Sequence, residues 1–260
     1  MVDLNKFQYP GAVFIRCESD IPITVTPFIV KGALMKFFPN EKFISFINGD
    51  LRGVYSYPRI QVKILRNQLC FFAVNEGIGP TISLAEQLSH MNLNNQDVHF
   101  TNKEILEYPD QFSLTPEKFH KYKFITPWVA LNDQQVYKYE PLFTSERREY
   151  LNSVLAKNLE FMIKDLGNDP SDSVQVRFRA GSLTPKIVTY SKMGSFKGYF
   201  TSNVRLPNYI GLGNNITKGL GTLIKWEYKP GTTNTDQKSS ESDPAESEYP
   251  FNHNIILLEV

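Results

Sequence analysis

A chain of 260 residues, 41% of them hydrophobic and 13% aromatic, can fold as one large domain or two small ones, which excludes disorder throughout. No stretch approaches the ~20 apolar residues of a spanning helix, and no basic stretch followed by an apolar block opens the chain; the expectation is a soluble, unsecreted, cytoplasmic protein without a membrane partner. The net charge of +1 argues against a polyanion partner only as an average. Residues 231–250 hold five acidic residues against Lys238 alone, Glu259 adds another, and the first 230 residues therefore carry +6.

In chain order, residues 12–17 (AVFIRC) alternate with β-branched and aromatic side chains and predict a strand. Thr26 before Pro27 is a cap-then-proline start. Val30, Ala33, Leu34, Phe37 and Phe38 then recur at helical spacing until Pro39, with Lys31 and Lys36 flanking the apolar face. Residues 59–65 (RIQVKIL) and 69–74 (LCFFAV) predict a hairpin over the turn Arg66-Asn67-Gln68. Residues 83–91 read as a helix, and residues 98–100 and 123–131 as extended segments. Strand, helix, hairpin, helix, strand is the order of a ferredoxin-like, or RRM-like, unit.

A second copy is expected to follow. Residues 145–166 form a long amphipathic pattern with Ser145 as its cap and Gly167 just past its end, before strands at 174–178, 186–190, 196–204 and 221–228. The predicted fold class is α+β, with tandem ferredoxin-like domains at residues 1–122 and 123–230. Residues 231–250 are rich in Ser, Thr, Asp and Glu and predict a disordered acidic linker before an apolar segment at 251–260. Cys17 and Cys70 are too few for a disulfide scaffold and too far apart in sequence for a zinc knuckle; buried thiols are expected.

The most specific feature is a glycine-rich loop, Gly211-Leu212-Gly213 and Gly219-Leu220-Gly221, separated by Asn214, Asn215, Ile216, Thr217 and Lys218. A dinucleotide fingerprint would need glycine where Ile216 stands, and a Walker A loop would need Ser or Thr where Gly219 follows Lys218. The residues leave two readings: a β-connection with glycine turns, or a loop whose backbone N–H groups, two amides and Lys218 face an anion such as a phosphodiester.

This G-h-G-x5-G-h-G pattern resembles the signature loop of the CRISPR-associated repeat-processing endoribonucleases, within the repeat-associated mysterious protein superfamily. FITPWVALN at 124–132, FKGYF at 196–200, LPNYIGLG at 206–213, YSYPRIQVK at 55–63 and VNEG at 74–77 are similar to the same family, in the same order, and cover most of residues 12–228. The resemblance implies binding of CRISPR repeat RNA and one cut per repeat in antiviral defense, with no metal and no cofactor. The implied chemistry is attack of a 2′-hydroxyl on the adjacent phosphorus, leaving a 2′,3′-cyclic phosphate and a 5′-hydroxyl. Other CRISPR effector subunits and a second copy of the chain are further partners that the resemblance allows.

The family places a histidine base on or just after the first helix, and this chain departs there. Its histidines are His90, His99, His120 and His253; Asn48 and Gly49 stand where the imidazole is expected. Three alternatives stay open. The enzyme works without histidine, with Lys36, Arg52 and Tyr55 as catalytic residues orienting the 2′-hydroxyl and neutralising the phosphorane; or it is a catalytically silent RNA-binding member; or a later histidine folds into the cleft. Candidate RNA-binding residues are Gly211, Gly213, Asn214, Asn215, Lys218, Gly219 and Gly221 of the loop together with Lys31, Arg59 and Lys63, the last two because basic side chains interleaved with Tyr55 and Tyr57 suit single-stranded RNA. A nucleotide-binding ferredoxin-like protein is the remaining class.

Overall fold

The structure is a computed structural model that describes residues 11–109, 111–167, 173–189 and 191–226. The expected linker at 231–250, the segment at 251–260 and His253 lie outside the described residues. The first half runs β1 (Ala12–Ser19), α1 (Pro27–Phe37), α2 (Lys42–Ile47), β2 (Ile60–Leu65), β3 (Gln68–Val74), α3 (Ile78–Gln87), β4 (His90–Leu93) and β5 (Gln96–Tyr108). These strands form one antiparallel sheet in the order β2-β3-β1-β5-β4, the ferredoxin-like arrangement with β4 added outside β5. β1 is apolar on both faces because both are covered. Val13, Ile15 and Cys17 join the cluster holding Val30, Leu34 and Leu84, while Ala12 and Phe14 join a cluster made largely by the second half.

Three local expectations shift. The β2–β3 turn has two residues, Arg66 and Asn67, both left-handed at φ 53 and 58, which suits the twist of a tight hairpin; Gln68 already belongs to β3. The second helix starts at Ile78, directly after β3, and ends at Gln87 rather than at 91. The residues beyond it alternate instead, Met91 and Leu93 inward with His90 and Asn92 outward, and pair as β4.

The second half contains β6 (His120–Phe124), β7 (Trp128–Leu131), α4 (Asp133–Tyr139), α5 (Thr144–Asp165), β8 (Val176–Ala180), β9 (Lys186–Val188), β10 (Met193–Phe196), β11 (Gly198–Ser202) and β12 (Leu223–Lys225). Its main sheet, β12-β6-β11-β8, repeats the ferredoxin-like order, and β7-β10-β9 form a separate three-stranded sheet. The fold is thus a tandem of two ferredoxin-like units. The single strand expected over 196–204 divides at Lys197, with β10 pairing to β7 and β9 while β11 pairs to β6 and β8. α5 begins one residue before its expected cap because Glu146 reaches back to accept the Phe143 N–H (2.8 Å); Gly167, at φ 89, lies just past its end. Where a second ferredoxin helix would lie, between β11 and β12, the chain instead runs through the glycine-rich segment and one three-ten turn, Ile216–Lys218.

The two halves share one core. Phe14 of β1 stacks on Tyr209 with ring centroids 4.0 Å apart, and Phe72 and Val74 pack in the same cluster as Trp128, Ile210 and Leu212. Polar residues in and before β2 cross the same boundary. Tyr57 donates to the Gly211 carbonyl (2.7 Å), Gln61 accepts the Gly211 N–H (3.0 Å), and Lys63 Nζ donates to Thr222 Oγ1 (2.9 Å).

Candidate RNA-binding cleft

A cleft of about 500 Å³ opens where α1, α2 and the segment 49–60 face α5 and the glycine-rich loop. Lys31, Arg52, Tyr55, Asn158, Phe161 and Asn215 are among its lining residues, and none of the described lining residues is a carboxylate. Lys31, on α1, feels both Arg52 and Lys218. Burial first, then these two cations, holds its ammonium below the ordinary lysine pKa of 10.5. Lys31 and Arg52 thus line the cleft with Lys218 close enough to act on Lys31, and none of the described lining residues is a carboxylate, an arrangement that favours an anion.

The expected imidazole position is occupied by a turn. Asn48 donates to Asp50 Oδ2 (2.6 Å) and accepts the Asp50 N–H (3.0 Å), closing the three-ten turn Asp50–Gly53 that carries Arg52. Gly49 sits at φ 106, and a Cβ there would lie 3.2 Å from Arg52 Nε, so glycine lets the guanidinium fold over the turn. Tyr55 stacks on Phe46 at 5.9 Å and 12°, with Arg59 Cζ 4.5 Å from its ring centroid. Phe161 of α5, 52% exposed, adds an aromatic side chain to the same cleft.

The glycine-rich loop is clamped rather than open. The N–H groups of Leu212, Asn214, Lys218, Gly219 and Gly221 all donate to backbone carbonyls within the fold. A Cβ on Gly213 (φ 89) would stand 2.7 Å from the Trp128 indole and from the Val129 carbonyl, and one on Gly221 (φ 66) would overlap the Leu212 carbonyl oxygen. The N–H groups of Gly211, Gly219 and Gly221 are thus engaged within the fold, Gly211 by Gln61 and the other two by backbone carbonyls, and these glycines permit close packing of the loop on β7 and β2. Asn214 Nδ2 is likewise turned inward to the Val129 carbonyl (3.2 Å), and Asn215 Nδ2 approaches Met193 Sδ (3.6 Å), although both residues line the cleft.

Lys31, Arg52 and Tyr55 line the cleft and Lys218 acts on Lys31 from its edge; Arg59 also lines the cleft but is held by carboxylates, and Lys36 and Lys63 lie outside it. Lys36 is exposed on the last turn of α1 and outside the cleft, because five residues beyond Lys31 rotate a helix by roughly 140°. Arg59 is 5% exposed. Its Nε donates to Glu76 (2.8 Å), Nη1 to Asp165 Oδ2 (2.6 Å) and Nη2 to the Asp165 carbonyl (2.8 Å), which makes it a clamp between the halves. Lys63 is fully buried at the glycine-loop interface, where desolvation lowers its pKa to about 7. Both are turned away from solvent because the polar side of β2 and of the residue before it meets the second half of the protein.

None of the histidines among the described residues lines the cleft. His90 and His99 stack on each other at 6.0 Å on the β4–β5 edge, and His120 on β6 contacts Thr115 Oγ1 (3.1 Å). Cys17 and Cys70 are free, buried thiols, each pushed up to about 12 by burial. The residues that sequence reasoning missed are Asn158 and Phe161. The long helix signals an apolar stripe toward the core, but nothing in its spacing marks the side that faces the glycine-rich loop much later in the chain.

The fold and cleft define a tandem ferredoxin-like protein whose second unit presents a glycine-rich loop to a basic groove. The chain belongs to the Cas6b family: the Cas6b N-terminal domain matches residues 15–110 and the Cas6b C-terminal domain residues 114–226. It is similar to a crystal structure of Cas6b, at 26% identity and a TM-score of 0.69, over 83% of this chain and all of that one. A crystal structure described as the CRISPR RNA processing endoribonuclease Cas6b matches at 25% identity and a TM-score of 0.61, over 83% of this chain and 99% of that chain. The uncharacterized protein MJ0978 of Methanocaldococcus jannaschii is 36% identical over 115 residues, 43% of this chain and 76% of that protein. No helix among the described residues is long and apolar enough to cross a membrane.

Proposed function

We propose that this chain binds CRISPR repeat RNA in the basic cleft and cuts it there by internal transesterification, without metal. The observation that carries the reading is Lys31 and Arg52 in a cleft whose described lining residues include no carboxylate, with Lys218 acting on Lys31 beside them. Tyr55, Phe46 and Phe161 offer aromatic surface for the bases that flank the scissile phosphate. Arg52 and Lys218 neutralise the phosphorane, whose charge exceeds that of the ground-state phosphate, so their attraction is stronger in the transition state. Lys31, with its pKa already lowered, is the group suited to take the proton of the attacking 2′-hydroxyl; the bond from phosphorus to the 5′-oxygen then breaks, and that oxygen acquires a proton from solvent.

Lys31→Arg separates charge from proton exchange. Repeat RNA should still bind, while cleavage falls by about 10²–10⁴, the usual contribution of a general base. Wild-type cleavage by this variant would reduce Lys31 to an electrostatic role. A second reading, a silent repeat-binding member, is favoured by the turn that Asn48 and Asp50 build where a histidine base is expected. In that case the wild-type chain binds repeat RNA and leaves it intact.

A further inference from the structure

Two asparagine amides line the cleft, and the fold fixes which end of each is left to meet a ligand. The Trp128 indole N–H donates to Asn158 Oδ1 (3.3 Å), and an indole nitrogen can only donate, so the oxygen of that amide is the atom turned toward β7. Asn214 is held the opposite way. Its Nδ2 donates to the Val129 carbonyl (3.2 Å), which can only accept, and its backbone N–H donates to the same oxygen (2.9 Å). Trp128 and Val129 are consecutive and fully buried, so one strand sets both amides. Gly213 lets the loop run this close, since a Cβ there would stand 2.7 Å from the indole nitrogen. What remains to Asn158 is Nδ2, a donor, and what remains to Asn214 is Oδ1, an acceptor. Phe161 follows Asn158 by three residues on α5, which makes the two neighbours on one helix face, and both line the cleft.

A phosphodiester offers acceptors alone, so it would suit Asn158 and leave the Asn214 oxygen facing another oxygen. The edge of a nucleobase carries donors and acceptors side by side, and its face stacks on an aromatic ring such as that of Phe161. We infer that Asn158 and Asn214 form a base-reading pair, beside Phe161, that sets which nucleotide the cleft accepts next to its phosphate site. The inference rests on the RNA-binding reading above and deepens it: Lys31 and Arg52 attract phosphate, which carries no sequence, whereas the two amides discriminate between bases. Read from the exocyclic group along the Watson–Crick edge, adenine and cytosine present a donor and then an acceptor, and guanine and uracil an acceptor and then a donor. The order of Asn158 and Asn214 is fixed by β7, so the pair favours one of these two classes over the other.

Binding of the full-length chain to its repeat RNA, made uncleavable by a 2′-deoxy nucleotide at the cut, tests this by fluorescence anisotropy. A set of RNAs carries each of the four bases in turn at every nucleotide around that position. At one position the wild type should prefer either adenine and cytosine or guanine and uracil by about tenfold, the discrimination of a bidentate contact. Asn158→Leu and Asn214→Leu should each level the four bases there and leave the preferences at other positions as they were. Asn158→Asp keeps an acceptor for the indole and turns the donor into a second acceptor. Guanine alone presents two neighbouring donors on that edge, N1–H and the N2 amino group, so the preference at that position should move to guanine. The added charge weakens all four bases alike and cancels in the ratio, as does any loss of stability. Circular dichroism verifies that each variant is folded, and the aspartate variant, which retains the Trp128 contact, remains informative where a leucine variant loses structure. Repeat RNA bound with no base preference at any position, or with preferences that persist in the folded variants, overturns the base-reading pair and leaves the cleft reading standing. A wild type that does not bind repeat RNA removes the cleft reading, and the pair with it.

Discussion

Asp165, the last residue of α5, does not line the cleft, yet it holds the segment that does. Its carboxylate accepts the N–H groups of Ser56 (3.2 Å) and Tyr57 (3.1 Å) and receives Arg59 Nη1 at 2.6 Å. Asp165→Ala removes the partner of a buried guanidinium and frees both backbone donors, just after the turn that presents Arg52 and Tyr55. Breaking a buried pair costs about 3–5 kcal/mol. Arg59 retains Glu76 and the Asp165 backbone carbonyl, which reduces the expected loss to roughly 2–4 kcal/mol. In a protein of this size that lowers Tm by roughly 5–15 °C. A thermal melt gives the stability term, and repeat-RNA cleavage well below the melt gives the functional one, which should fall because the Arg52–Tyr55 turn loosens. Arg59→Met combined with Asp165→Leu should recover much of the Tm without recovering cleavage. An Asp165→Ala variant that melts and cuts like the wild type would refute the clamp.

Three further outcomes follow from particular contacts. Lys63 binds no proton when folded above about pH 7, whereas in the unfolded chain it holds one up to its ordinary 10.5, so its contribution to stability rises with pH across that window. Lys63→Met should therefore stabilise the protein most at and below pH 7, by roughly 3–4 kcal/mol after the lost Thr222 bond is subtracted, and not at all above pH 10.5; a pH-independent gain in urea unfolding would contradict this. Gly221→Ala should cost about 3 kcal/mol or more through its φ of 66 and the overlap with the Leu212 carbonyl, whereas Gly32→Ala, in a helix with nothing within 4 Å, should gain up to about 1 kcal/mol. The proposed base role requires Lys31 without its proton, so single-turnover cleavage should rise with pH up to Lys31's lowered pKa and level off above it, and Lys31→Arg should flatten that profile.

The readable parts of this fold are those where burial imposes a period. β1 and α1 emerge from alternation and 3.6-residue spacing, and Gly167 marks where α5 stops. α4 carried a legible signal that went unused: Asn132 and Gln135 form a reciprocal capping box, the N-x-x-Q pattern, in a stretch with little apolar periodicity. The candidate site was legible as residue types and less so as orientation. Just before and within β2, Arg59 and Lys63 alternate with apolar neighbours as a solvated strand face does, and only the tertiary fold turns that face onto Thr222, Gly211 and Asp165. On α1, Lys31 and Lys36 both flank the apolar stripe, and helix phase alone decides that Lys31 meets Arg52 and Lys218. The glycine spacing identified the loop correctly as special, but the reason is close packing on Trp128 and Leu212, a contact across some eighty residues in the first case.

The central claim is that a basic cleft with no histidine among its described lining residues cuts repeat RNA by internal transesterification. The direct measurement is incubation of the full-length chain with its repeat RNA in excess EDTA, followed by analysis of the product termini. Cleavage once per repeat with 2′,3′-cyclic phosphate and 5′-hydroxyl ends is the predicted result. Tightly bound but intact RNA, or ends carrying a 3′-hydroxyl and a 5′-phosphate, would contradict it.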